Sequence, residues 1–112
     1  HADGILVSTP TGSTGYTMSL GAPIMDPRVE CISIVPIEPY DYNKRPFIVP
    51  MGSKVTVENV NNRGCLILGD GLSDVPMDGG TSVDISLSKR VSRLLRVKDD
   101  FYERVDTKLV RK

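Results

Sequence analysis

The chain has 112 residues, with fourteen basic and fourteen acidic side chains and zero formal charge. That length allows one domain at most, with a modest core, and the balanced charge excludes a nucleic-acid footprint or a polybasic membrane patch. Cys31 and Cys65 lie in apolar runs without a Cys-x-x-Cys or histidine companion, which predicts buried free thiols of a cytoplasmic protein, and no stretch reads as a signal peptide or membrane span.

Ile5, Leu6 and Val7 form an apolar run too short for a helix and suited to a buried strand. It breaks into Ser8-Thr9-Pro10-Thr11-Gly12-Ser13-Thr14-Gly15, a hydroxyl-rich tight loop. Tyr16, Leu20 and Ile24 then recur at the spacing of one helical face, with Ser13 or Thr14 as N-cap and Gly21 and Pro23 ending the helix. Met25 to Arg28 is a turn. Val29 to Ile37 is rich in β-branched residues and predicts a strand buried on both faces. Glu38 to Pro46 is a polar loop.

Phe47 to Val49 is a short strand, and Lys54 to Glu58 alternates as a half-exposed one. Cys65 to Leu68 is another, reversed by Gly69-Asp70-Gly71, because glycine accepts the positive φ of hairpin turns. Leu72 to Met77 is a short strand or a bulged segment, with Pro76 marking an edge. After Asp78-Gly79-Gly80, Thr81 to Ser88 alternates with Val83, Ile85 and Leu87 on one face. Val91 to Val97 predicts an edge strand, and residues 99–112 a helical tail with Phe101, Val105 and Leu109 on one side. Short strands with Gly/Pro turns imply a mainly β, β-sandwich-like domain, with a short helix after the first strand and one at the C-terminus.

The strand, glycine loop and short helix would gather backbone N–H groups, small hydroxyls and the Tyr16 ring around one concavity, which suits a flat polar ligand such as a nucleotide. No lysine follows Gly12 or Gly15, so this is not a phosphate-gripping P-loop, and the Gly-x-Gly-x-x-Gly of a Rossmann turn is absent. A serine nucleophile would need a base, and the single histidine is His1. Read without context, the loop is equally an ordinary polar connection in which Ser and Thr cap and turn.

Asp3-Gly4-Ile5-Leu6-Val7-Ser8-Thr9-Pro10-Thr11-Gly12-Ser13-Thr14-Gly15-Tyr16 resembles the signature of the NAD kinases, D-G-x-x-V-S-T-P-T-G-S-T-A-Y, with glycine for alanine at Gly15. Ser19, Gly21, Pro23 and Ile24 fit the S-x-G-G-P-I continuation, with Ala22 for its second glycine. The segments 34–39 and 45–50 resemble I-T-P-I-C-P and R-P-I-V-L-P, and Asp70-Gly71, Phe101-Tyr102 and Lys108-Leu109 resemble later family features. The resemblance spans nearly the whole chain.

It implies a two-domain enzyme, an α/β domain followed by an all-β domain, of which residues 1–112 would be most of the C-terminal NAD-binding part. The motif is already under way at His1, as expected of a fragment. The implied reaction is phosphoryl transfer from ATP or polyphosphate to the 2′-hydroxyl of NAD, giving NADP, with Mg²⁺ or another divalent metal, in a cytoplasmic homo-oligomer (dimer or tetramer). By resemblance Asp3 and Ser19 lie near the nicotinamide carboxamide, and Thr11, Thr14, Gly15 and Tyr16 line the adenine and sugar side. Tyr40 falls where the family reaches into a neighbouring subunit's site, although Glu38, Tyr40 and Lys44 depart from the common residues. The family's GGDG motif, which carries the base, and its Asn-Glu pair have no counterpart in these residues; Leu68-Gly69-Asp70-Gly71 sits at the hairpin instead. No catalytic residue is therefore assigned, and the chain alone is expected to be inactive. A non-catalytic nucleotide-sensing or assembly domain is the alternative; a lipid-kinase C-terminal domain is another, disfavoured by Ser8 to Tyr16.

Overall fold

The β-branched and alternating segments become strands, and each is short because glycine or proline interrupts it. The computed structural model describes residues 4–39, 44–60, 63–69, 73–89 and 101–106. They fall into two compact units, His1–Met51 with Lys89–Lys112 and Gly52–Ser88.

In the first unit β1 (Gly4–Ser8), β2 (Cys31–Ile37) and β3 (Phe47–Pro50) form an antiparallel sheet in the order β1-β2-β3. Gly4 faces Ile37 and Ser8 faces Ser33, while Cys31 faces Pro50 and Ile34 faces Phe47. Strand β2 is central, which explains its run of apolar residues on both faces: Cys31, Ile32 and Val35 are buried. Pro36 is tolerated because the β3 pairing stops at Ile34, leaving β2 an edge beyond it. Val29 lies outside β2 and is exposed. After Ile37 the chain leaves the sheet through Glu38, whose φ of 45° is left-handed.

Between β1 and β2 lie a 3-10 helix (Pro10–Thr14) and α1 (Tyr16–Ser19). The 3-10 helix rests against both strands. A further helix of this unit among the described residues is α2 (Phe101–Val105), within the expected tail, whose residues 107–112 lie outside the described residues. Asp99, Leu109 and the expected strand 91–97 lie outside the described residues.

The second unit contains two antiparallel ribbons. One pairs β4 (Val55–Glu58) with β7 (Ser82–Ile85), the other β5 (Cys65–Gly69) with β6 (Ser73–Met77). Gly69 faces Ser73 in the antiparallel pair; Asp70 and Gly71, on which the tight reversal is expected, lie outside the described residues. Asn59 fastens the ends: its side-chain amide donates to the carbonyls of Arg63 (2.7 Å) and Asp78 (3.4 Å). Its backbone exchanges hydrogen bonds with Thr81 and Gly80.

Two expectations fail in this unit. Cys65 is exposed although Met77, opposite it on β6, is buried; only Cys31 is a buried thiol. Leu87 lies beyond the end of β7 and is exposed, so the alternation over residues 81–88 outruns the pairing by three residues.

Candidate functional site

From Gly4 to Met25 the chain carries no charged side chain. Within residues 4–25 a ligand would meet hydroxyls, backbone groups and ring surface. Thr9 is extended, and Pro10, with its fixed φ and missing N–H, opens the 3-10 helix. The Gly12 N–H donates to the Thr9 carbonyl and the Gly15 N–H to the Gly12 carbonyl, each at 3.0 Å. A Cβ at Gly12 would collide with Ser8 Oγ at the end of β1, so the glycine lets that hydroxyl lie close.

The N-cap of α1 is Gly15, not Ser13 or Thr14, and no side chain caps the helix. The helix is a single turn, so Ile24 is not on it and the expected stripe of Tyr16, Leu20 and Ile24 does not form. Its end does follow expectation. Gly21 is left-handed at φ 82°; its N–H donates to Met18 (3.0 Å) and that of Ala22 to Thr17 (3.1 Å). This crossed pair of hydrogen bonds is the glycine stop known as a Schellman motif.

The connection has an inner and an outer side. Pro10 and Ser13, three apart, and Thr17, four further on, are buried, matching the tighter and looser helical turns. Ser13 is 0 % exposed: its Oγ accepts from the Met25 N–H at 2.9 Å and donates to the Met25 carbonyl at 3.3 Å. Thr17, 1 % exposed, donates from Oγ1 to the Gly12 carbonyl at 3.0 Å. Thr11, Gly15, Tyr16 and Ser19 are all exposed, Tyr16 by 59 %. Ser19 Oγ donates to the Tyr16 carbonyl at 2.6 Å. Thr14 belongs to the 3-10 helix by its backbone. Asp3 and Tyr40 lie outside the described residues.

The nearest described charges are on the turn that follows. Asp26 accepts from the Arg28 backbone N–H at 2.8 Å and from its guanidinium through two nitrogens, at 3.0 and 2.7 Å. The Tyr102 hydroxyl of α2 donates to Asp26 Oδ2 at 2.9 Å. These donors, Arg28 first, hold the Asp26 carboxyl well below the usual carboxylate range, and the same contact pushes the Tyr102 phenol up. Thr17 and Asp26 have no assigned role in the sequence, Ser13 reads there as an N-cap rather than a buried anchor, and the pairing of Tyr102 with Asp26 is not expected. The one available signal was negative: a run of hydroxyls longer than a single cap or turn needs.

Among the described residues no group of three or more His, Cys, Asp and Glu could hold a metal ion, so these residues do not fit a metal site and no chemical step is assigned to one.

The family profile described as the ATP-NAD kinase C-terminal domain matches residues 1–97. The NAD kinase of Methanosphaera stadtmanae is 40% identical over 112 residues, covering 98% of this chain and 40% of that protein. The NAD kinase of Methanopyrus kandleri is 37% identical over 110 residues, covering 98% of this chain and 39% of that protein. The crystal structure of an NAD kinase from Archaeoglobus fulgidus in complex with ATP superposes with a TM-score of 0.68 at 34% identity, covering 79% of this chain and 33% of the other. Yeast NADH kinase complexed with NADH gives a TM-score of 0.57 at 33% identity, over 74% of this chain and 24% of that one. The chain thus spans about 40% of the length of the curated relatives it matches.

Proposed function

Because the chain belongs to the ATP-NAD kinase C-terminal domain family, we propose that it is the dinucleotide-binding part of an NAD kinase. The observation that carries this reading is the two-sided connection between β1 and β2. Pro10, Ser13 and Thr17 anchor it inward, and the matched motif residues Thr11, Gly15, Tyr16 and Ser19 face outward on an uncharged surface. An anchored surface binds a flat polar ligand at a smaller ordering cost than a free loop does.

On this reading Tyr16 offers its ring to the adenine and sugar side, which Thr11 and Thr14 also serve. Gly15, without a Cβ, lets the ligand approach the backbone. Ser19 and Asp3 serve the nicotinamide carboxamide, and Tyr40 serves the site of a neighbouring subunit. The parent enzyme transfers a phosphoryl group from ATP or polyphosphate to the 2′-hydroxyl of NAD, giving NADP. It works in the cytoplasm as a homo-oligomer, in keeping with exposed apolar side chains such as Phe47 and Ile48 on the edge strand β3. Positioning is what this segment contributes to the reaction, whose chemistry depends on in-line placement and on a base supplied elsewhere.

The test is an equilibrium titration of the complete protein carrying this segment with NAD. Saturable binding at micromolar to millimolar NAD is expected, the ordinary range for an enzyme's substrate. Absence of saturation with folded protein overturns the reading.

A further inference from the structure

The segment 22–30 between α1 and β2 has no helix or strand of its own. Backbone outside ladders is held in place by side chains. Met25 is buried, with its Sδ accepting from Cys31 Sγ of β2 at 3.4 Å, and two hydrogen-bonding holds from outside the segment sit on it and on its neighbour. Met25 is gripped through both of its backbone polar groups by Ser13, at the centre of the connection. Asp26, next to it, receives the Tyr102 hydroxyl from α2, a residue 76 positions away.

Arg28 also binds Asp26, from two residues along the same turn, and that pair shapes the turn. The phenol supplies a hold from a separate element. The Asp26 side chain is only 13% exposed, whereas Arg28 is 79% exposed, so the carboxylate is the inner, ordered end of the pair. The Tyr102 ring is itself oriented by an edge contact with Phe101, centroids 5.1 Å apart.

We propose that Tyr102 is a positioning residue for the dinucleotide loop, acting through Asp26 on Met25 and through Met25 on Ser13. This rests on the loop being the NAD site. Tyr102 touches no described residue of the 3-10 helix or α1 through its hydroxyl; its influence passes along the Asp26–Met25 backbone. Loss of the hydroxyl frees the turn, Ser13 holds a less confined partner, and the outward residues spend less time in the binding arrangement. The observed affinity for NAD falls with the competent fraction, while chemistry in the assembled complex is little altered.

Tyr102→Phe removes the hydroxyl and keeps the ring contact with Phe101; Asp26→Asn keeps a side-chain oxygen and removes the charge. Both are made in the complete enzyme and assayed for NAD and ATP kinetics, with amide hydrogen exchange read at Met25. The expected result for each is a KM for NAD raised about three- to tenfold, kcat and the KM for ATP within about twofold, and faster exchange of the Met25 amide. Faster exchange with an unchanged KM for NAD overturns the positioning role. A raised KM with unchanged Met25 exchange overturns the route through Met25, and no change in either overturns both. Wild-type enzyme that binds no NAD overturns the assignment of the loop itself, whereas the exchange data still report whether Tyr102 restrains Met25.

Discussion

Ser13 holds Met25 by both its N–H and its carbonyl, at 2.9 and 3.3 Å, from a fully buried position. The same hydroxyl therefore closes the connection between β1 and β2 onto itself. Ser13→Ala would leave the buried Met25 N–H without that acceptor. A buried polar group left unsatisfied costs about 1–3 kcal/mol. Denaturant unfolding should show that loss with an unchanged m-value; a midpoint equal to wild type would mean that the pair contributes nothing.

Gly12 and Ser8 are coupled by the lack of a Cβ at Gly12. Gly12→Ala forces Ser8 Oγ to move and should destabilise by about 1–3 kcal/mol, the usual range for overpacking. Ser8 Oγ otherwise donates to the Thr9 carbonyl at 2.9 Å, so Ser8→Ala alone is a mild loss. The double variant should be more stable than the sum of the singles predicts, because the colliding atom is gone. A double-mutant cycle showing strict additivity would contradict this close approach.

Most of the sheet is legible from Ile5-Leu6-Val7 and from the β-branched run that becomes β2, because a paired strand needs a row of apolar side chains. The ribbons are legible from alternation and glycine turns. The inner side of the site is not. Ser13 and Thr17 are buried for their hydrogen bonds, and apolar periodicity carries no trace of a buried hydroxyl. The single turn of α1 is too short to impose a 3.6-residue pattern, so Tyr16, Leu20 and Ile24 imitate a stripe by coincidence. Tyr102 and Asp26 meet across the chain, and no local spacing announces such a pair. Cys65 sits in an apolar run that pairs as a strand and still leaves the thiol exposed, so apolar sequence and burial part company there.

Acid and alkali should each loosen the Asp26–Tyr102 contact. The Asp26 carboxyl is held below its ordinary value, so its stabilisation is fully present above about pH 4 and is lost as pH falls through the lower native value. The Tyr102 phenol is held above its ordinary value. Its contribution is fully present below about pH 10 and is lost as pH rises through the higher native value. Stability measured against pH should therefore lose part of its acid slope in Asp26→Asn and part of its alkaline slope in Tyr102→Phe. Curves parallel to wild type at both ends would show that the contact does not form in solution.

If the outward residues of the β1–β2 connection bind the dinucleotide, Tyr16 is the side chain whose loss should weaken that binding. It is 59 % exposed, so its removal leaves no core cavity. Paired titrations of the complete enzyme with NAD and with ATP, for wild type and Tyr16→Ala, separate the two ligands, and a melting temperature for each protein excludes unfolding. An aromatic surface under a base is worth about 1–3 kcal/mol, roughly five- to a hundredfold in affinity. The account predicts that loss for NAD, with ATP affinity within about twofold and the melting temperature unchanged. Wild-type NAD affinity in a folded Tyr16→Ala protein would contradict it.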